Sequence, residues 1–125
     1  MRGTAIKLGS DAFKSHLWIV VSDVHPEKGV VLAFNLTDKD HYPNSACILN
    51  PGEHEFIEKM SAVRYFSPKL WNPQHIAEKI RDGTFVQYKN ASEALLEKII
   101  AGAHNSEDLD PYYLEFLPPI RSQIQ

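Results

Sequence analysis

Apolar residues fall in short blocks separated by turn residues over roughly the first 70 positions, a pattern typical of β-strands. Residues 16–22 and 30–37 are almost continuously apolar and rich in valine and leucine, as in strands that are buried on both faces. The intervening residues 23–29 contain a proline and a glycine, which indicates a hairpin loop. We therefore predict that these two segments are adjacent, antiparallel and central.

Three weaker blocks complete the predicted sheet. Residues 4–8 are predicted to form an edge strand, and residues 46–49 a short strand before an Asn-Pro-Gly turn. Residues 61–66 alternate, with Arg64 and Phe66 on one face and Val63 on the other. Five short strands with tight turns favour a small barrel or a strongly coiled sheet.

The apolar spacing becomes helical after residue 72. Asn72 and Pro73 are a good N-cap and first helical residue, and Gly83 is a stop signal. Residues 90–93 resemble a capping box at the start of a second helix, 90–104. We expect the apolar face of that helix to pack on the sheet; it consists of Leu95, Leu96, Ile99 and Ile100.

Together these elements predict one α+β domain over residues 1–125, with the β-barrel at roughly 4–71 and the helical part at roughly 72–117. The length and the 43% hydrophobic content suit a single core that needs no disulfide, and the chain has only one cysteine. No apolar run is long enough for a signal peptide or a membrane span, so we expect a cytoplasmic protein without a membrane partner. The net charge of −3 means that any site for a polyanion must be local.

Candidate chemistry lies in scattered polar residues, because no nucleotide-binding, zinc or nucleophile-elbow motif is present. His16 opens the most apolar strand, and His54 lies in a loop next to apolar anchors. Either imidazole could act as an acid or base, or could simply make structural hydrogen bonds. Ser61 could donate a hydrogen bond to a developing oxyanion.

Four further residues are candidates for binding a substrate. Asn35 and Thr37 share one face at the end of a buried strand, and Arg64 could clamp a phosphate. Lys14, just before His16, is a second candidate cation. We expect no cofactor and no metal, although a metal-dependent hydrolase using His16, His54 and Asp23 is a third, weaker reading.

Four stretches resemble the MazF/PemK (Kid-like) toxins of type II toxin–antitoxin systems. Residues 17–22 look like the apolar strand of that family that ends in Ser-Asp, and 30–37 like its second strand. Residues 61–65 look like the strand that opens with Ser or Thr and contributes to the active site, and 67–70 like the short strand before the family's C-terminal helix.

This resemblance implies an SH3-like antiparallel β-barrel with C-terminal helices, a homodimer, an antitoxin partner and metal-independent cleavage of single-stranded RNA. Ser61 carries over directly as a catalytic position, and His16 stands where the family has a basic residue. The leading hypothesis is therefore a toxin-like endoribonuclease. The alternative is a non-catalytic SH3-like protein-interaction module of a mobile element or phage.

The leading hypothesis makes a geometric prediction. His16 opens one central strand while Asn35 and Thr37 close its antiparallel neighbour, so these three should lie at the same end of the sheet. His54 and Ser61 border the loop after the next strand. We therefore expect all five residues to converge on one concave surface, with His16 and His54 as the acid–base pair.

Overall fold

A computed structural model describes residues 1–8 and 16–120 of the chain. Within these residues six strands and two α-helices form, together with two short 3₁₀ helices at Lys39–His41 and Pro111–Phe116. The strands are β1 (Ala5–Leu8), β2 (Leu17–Val20), β3 (Val31–Asp38), β4 (Ile48–Leu49), β5 (Ser61–Trp71) and β6 (Phe85–Tyr88). The helices are α1 (Pro73–Arg81) and α2 (Glu93–Asn105).

The six strands form one antiparallel sheet in the order β4-β5-β3-β2-β1-β6. The prediction that the two most apolar segments are adjacent, antiparallel and central is confirmed, because β2 pairs with β3 inside the sheet. The chain is thus α+β, with few helices. In the described part of the chain the sheet is open, with β4 and β6 at its edges.

The prediction that β1 is an edge strand is wrong. β6, which the sequence pattern did not reveal, pairs with β1 along its whole length, from Ala5 opposite Tyr88 to Leu8 opposite Phe85. The four residues of β6 lie between the end of one helix and the start of the next, and only Phe85 among them is buried. A short strand with one buried side chain carries too little periodicity to be recognised without its partner.

One face of the sheet packs against α2 and the C-terminal 3₁₀ helix. Ile99 is fully buried there, and the hydroxyl of Tyr65 donates a hydrogen bond to the Ile99 carbonyl oxygen at 2.8 Å. Phe34 meets Tyr65 edge to face, with ring centroids 5.1 Å apart. The predicted apolar face of the second helix is therefore confirmed as the cover of this core; its buried members are Leu95, Leu96, Ile99 and Ile100.

The opposite face of the sheet is only partly covered. Ile76 of α1 packs against Trp18, Val20 and Phe85 in a second, smaller core. No helix of the described residues is long and apolar enough to cross a membrane. Beyond the reach of α1, this second face carries the polar side chains that form the candidate site.

The helix starts follow capping chemistry, with one correction. Asn72 caps α1 as predicted, because its side chain accepts a hydrogen bond from the backbone N–H of Gln74. The N-cap of α2 is Ser92 rather than Asn90, since the Ser92 hydroxyl accepts from the N–H of Leu95. The backbone N–H of Ala91 bonds instead to the carbonyl of Gly3, which keeps the preceding residues extended.

β5 contains a bulge that matters for the site. Asn35 of β3 lies opposite Arg64, whereas Ala33, two residues earlier in β3, lies opposite Lys69. The extra residues of β5 include Ser67 and are accommodated by a local irregularity. Bulges of this kind bend a strand and redirect its side chains, and they are common beside functional sites.

We predict that Gly102→Ala destabilises the protein by about 1–3 kcal/mol, although alanine normally stabilises a helix interior by about 1 kcal/mol relative to glycine. A Cβ at Gly102 would lie 2.2 Å from the Tyr65 hydroxyl oxygen and 2.8 Å from the Cβ of Cys47. Urea unfolding measures the change.

Tyr65→Phe supplies the matched background, because it removes the atom that the new methyl group would strike first. The cost of Gly102→Ala should be smaller in that background than in the wild type. An alanine variant at least as stable as the wild type would contradict the close packing of α2 on β5.

Candidate functional site

A cleft of about 640 Å³ opens at the end of the second sheet face. It lies where β2 begins, where β3 ends and where β5 begins. Its polar lining consists of imidazole, hydroxyl and charged side chains: His16, Thr37, Asp38, His41, Glu58, Lys59 and Ser61. Leu36, Phe56 and Ile57 provide its apolar wall.

Strand register explains why these residues meet. Trp18 lies opposite Asn35, and continuing that antiparallel register places His16 opposite Thr37. On the other side of β3, Asp38 lies opposite Ser61. Of the five residues predicted to converge on one concave surface, His16, Thr37 and Ser61 line this cleft, whereas Asn35 and His54 do not.

The environment of His16 favours its neutral form. Partial burial lowers the pKa of the imidazole below its usual value of 6.5, and the nearby positive charge of Arg64 lowers the pKa further. A hydrogen-bond contact with the backbone of Leu36 acts in the opposite direction but does not cancel these effects. A neutral imidazole at neutral pH can accept a proton, which is the requirement for a general base.

A second imidazole, that of His41, lies in the same cleft. His41 ends the 3₁₀ helix that follows β3, and its Nδ1 atom is 3.5 Å from the Thr37 hydroxyl oxygen. Its charge also contributes to the lowered pKa of His16, so the two rings are electrostatically coupled. The lining of the cleft thus contains two imidazoles.

The remaining charges of the cleft are partly paired. Lys59 Nζ is 2.6 Å from a carboxylate oxygen of Asp38, and this contact is the main reason that the pKa of Asp38 is lowered. The Ser61 hydroxyl donates to the carbonyl oxygen of Lys59 at 3.0 Å. Ser61 is therefore placed at the cleft wall with its proton already engaged, and its oxygen can still accept a hydrogen bond.

Arg64 and Asn35 lie next to the cleft, paired across β5 and β3, but they are not part of its lining. Asn35 is 1% exposed, and its Oδ1 accepts from Arg64 Nη1 at 3.4 Å while its Nδ2 donates to the Ser67 carbonyl at 3.3 Å. The Asn35 amide thus ties the β5 bulge to β3 and orients the guanidinium. The amide is thereby engaged within the protein, and the contact of Asn35 with a substrate stays a prediction.

His54 does not join the cleft lining. The residue is 6% exposed, its Nε2 donates to the Lys89 carbonyl at 2.5 Å, and its Nδ1 accepts from the N–H of Phe56 at 3.0 Å. Both ring nitrogens are therefore occupied by backbone groups, and the ring joins the loop before β5 to the chain after β6. This geometry does not support the predicted acid–base pairing of His54 with His16.

Metal binding and thiol chemistry would depend on other side chains. Among residues 1–8 and 16–120, no group of three or more histidine, cysteine, aspartate or glutamate side chains is placed to hold a metal ion. Burial raises the pKa of the Cys47 thiol to about 11, so this side chain is protonated at neutral pH. Lys14, a predicted substrate-binding residue, lies outside the described residues.

Sequence reasoning missed His41 and Lys59 as members of the site. A weak signal existed for each: Lys59 precedes Ser61 by two residues, the spacing of one strand face, and His41 follows Thr37 by four. Neither spacing distinguishes a cleft from a solvated loop. The return of the chain after β3 through a 3₁₀ helix is what brings His41 back over the sheet.

Comparison of the chain with protein-family models, with curated proteins and with solved structures found no match.

The lowered pKa of His16 predicts a specific pH dependence of stability. Because the unfolded chain binds a proton at this site more readily than the folded chain, the stability that neutral His16 contributes is present above pH 6.5 and declines as the pH falls toward the folded pKa. Urea unfolding at pH 7.5 and 5.5 should thus show a larger loss for the wild type than for His16→Gln. The four histidines outside the cleft are common to both proteins and cancel in this difference, whereas the coupling of His41 to His16 is part of it.

NMR titration measures the pKa of His16 directly, and the titration of the His16 ring resonance should have its midpoint below pH 6.5. A midpoint above 6.5, or an equal loss of stability in the two proteins, would contradict the desolvated environment of the ring.

His54→Ala should destabilise the protein by about 1–3 kcal/mol, because it leaves the Phe56 N–H and the Lys89 carbonyl without their ring partner. The matched control is His75→Ala at an exposed position of α1, for which we expect a change of about 0.5 kcal/mol or less. Equal stabilities of the two variants in urea would show that the His54 hydrogen bonds contribute nothing.

Proposed function

We propose that the chain is a metal-independent endoribonuclease of the toxin type that cleaves single-stranded RNA in the His16 cleft. The observation that carries this proposal is the presence of two imidazoles, His16 with its lowered pKa and His41, in one cleft whose lining also has hydroxyl groups and the Lys59 ammonium. RNA is suited to such a site because its own 2′-hydroxyl is the nucleophile. The protein then needs only to move protons and to stabilise charge.

The proposed reaction has a balanced proton inventory. His16 accepts the proton of the ribose 2′-hydroxyl as the 2′-oxygen attacks the adjacent phosphorus atom. The bond from phosphorus to the 5′-oxygen of the next nucleotide breaks, and protonated His41 gives its proton to that oxygen. The products are a 2′,3′-cyclic phosphate and a 5′-hydroxyl. His41 thus takes the place of His54 in the acid–base pair that the sequence predicted.

Three groups support the charge that develops on phosphorus. Arg64 is close enough to His16 to depress its pKa, so a phosphate bound at that ring lies within the field of the guanidinium. Thr37 adds a hydroxyl group, and Ser61 adds a second one once its hydroxyl turns from the Lys59 carbonyl toward the phosphate. These local groups suit a short segment of RNA, in keeping with the net charge of −3 over the whole chain.

Several parts of the proposal rest on the resemblance to MazF/PemK toxins. They are the curvature of the antiparallel sheet into an SH3-like barrel, a homodimer, an antitoxin that neutralises the protein, and action in the cytoplasm. The bulge of β5, between Arg64 and Lys69, supports a strongly curved sheet, since bulges bend the strand that contains them.

A non-catalytic SH3-like protein-interaction module is the second candidate. The observation that favours it is the ion pair between Lys59 and Asp38, which uses one of the cations of the cleft internally. A binding surface tolerates such pairing better than a phosphate site does.

Incubation of the purified full chain with a single-stranded RNA of mixed sequence, in excess EDTA, tests the nuclease. We expect cleavage to a 2′,3′-cyclic phosphate and a 5′-hydroxyl. His16→Ala and His41→Ala should each reduce the rate by about 100-fold or more, the usual contribution of a general acid or base. A substrate with a single ribonucleotide in a DNA strand should be cut only there.

His75→Ala, which removes an exposed imidazole outside the cleft, is the matched control and should retain the wild-type rate. Melting temperatures of all variants establish that they are folded. Intact RNA after incubation with the wild type, or full activity in His16→Ala, would overturn the nuclease proposal and leave the interaction module.

A further inference from the structure

We infer that Phe66 is a nucleobase-stacking site next to the reaction centre, and that it binds one unpaired base of the RNA beside the phosphate held at Arg64. This inference deepens the proposed function and rests on it for the identity of the substrate. Phe66 is 51% exposed although it lies in the long central part of β5, where an aromatic ring would ordinarily be covered.

The exposed ring is held in place by two neighbours. The guanidinium carbon of Arg64 lies 4.8 Å from the Phe66 ring centroid. The ring centroids of Tyr42 and Phe66 are 5.2 Å apart, with an interplanar angle of 84°. Tyr42 is anchored in turn by a hydrogen bond from its hydroxyl to the Asp108 carboxylate. An ordered aromatic ring loses little conformational freedom when a base stacks on it.

Arg64 connects this ring with His16 of the cleft, whose lining itself includes neither Arg64 nor Phe66. Arg64 and Phe66 are two residues apart, a span of roughly 7 Å along a strand, and both lie on the sheet face that carries His16. Arg64 therefore contacts Phe66 on one side and acts on His16 on the other. A phosphate at Arg64 would have its flanking base over Phe66.

The charge around Phe66 favours nucleic acid over a protein partner. The Phe66 ring contacts the Arg64 guanidinium as well as the Tyr42 ring, and a second cation–π pair follows along β5, where Lys69 Nζ lies 5.6 Å from the ring centroid of the buried Trp18. A cation beside an exposed aromatic ring is the usual construction of a single-strand binding site, because the cation neutralises a phosphate and the ring stacks a base. Of these two rings, Phe66 is the one exposed enough to stack a base. A docking site for a protein would instead require a broader apolar core.

Binding of a fluorescent single-stranded DNA of mixed sequence tests this inference separately from cleavage, because DNA lacks the 2′-hydroxyl and stays intact. At low salt, Phe66→Ala should weaken binding by about 5- to 100-fold, the range expected for loss of one stacked base. Phe66→Trp should retain wild-type affinity. Phe66→Leu, which keeps apolar area without a π-face, should bind as weakly as Phe66→Ala.

An oligonucleotide of abasic nucleotides isolates the stacking contribution. It should bind the wild type more weakly than the parent strand does, and Phe66→Ala should weaken its binding little further. Val86→Ala, at an exposed apolar position on the edge strand β6, is the matched control and should leave both affinities unchanged.

The outcomes separate the inference from the proposed function. Loss of DNA binding in Phe66→Ala without RNA cleavage by the wild type would uphold the stacking site and overturn the nuclease. RNA cleavage by the wild type with unchanged KM and DNA affinity in Phe66→Ala would overturn the stacking site alone. Undetectable DNA binding by the wild type, or wild-type affinity in Phe66→Leu, would also overturn it, the latter indicating an apolar contact such as a protein partner makes.

Discussion

The burial of β3 on both faces is the constraint on which the rest of the structure depends. β3 pairs with β2 on one side and with β5 on the other, and all of its residues except the last are buried. One amide, that of Asn35, lies within this buried strand. Because a buried amide must find hydrogen-bond partners, Asn35 holds the Ser67 carbonyl and the Arg64 guanidinium, and so fixes how β5 passes the central strand.

The site follows from that arrangement. The bulge that Asn35 stabilises lets β5 present Arg64 and Phe66 on the face that α1 leaves uncovered. Arg64 then acts in two directions, since it lowers the pKa of His16 and packs over Phe66. A single hydrogen-bonded irregularity in the sheet thereby connects a candidate proton acceptor with a candidate base-stacking ring.

One face of the sheet carries the main core, and the other carries the candidate site. On the α2 face, close packing is severe enough that only glycine fits at position 102 against Tyr65. On the other face, the smaller core around Ile76 ends before the sheet does, and polar groups replace apolar ones. A site at the margin of a core combines rigid strands beneath it with partial desolvation, which is the condition that shifts the pKa of an imidazole.

The sequence by itself determined the α+β class, the two central strands, the cap of α1 and the apolar face of α2, because each depends on local periodicity or capping chemistry. It also placed His16, Thr37 and Ser61 at one end of the sheet through antiparallel register. Only the tertiary structure decided that β6 covers β1, since that short strand has no signal without its partner. Likewise, the presence of His41 rather than His54 in the cleft depends on where two loops return to the sheet, and loop paths are set by long-range contacts rather than by local sequence.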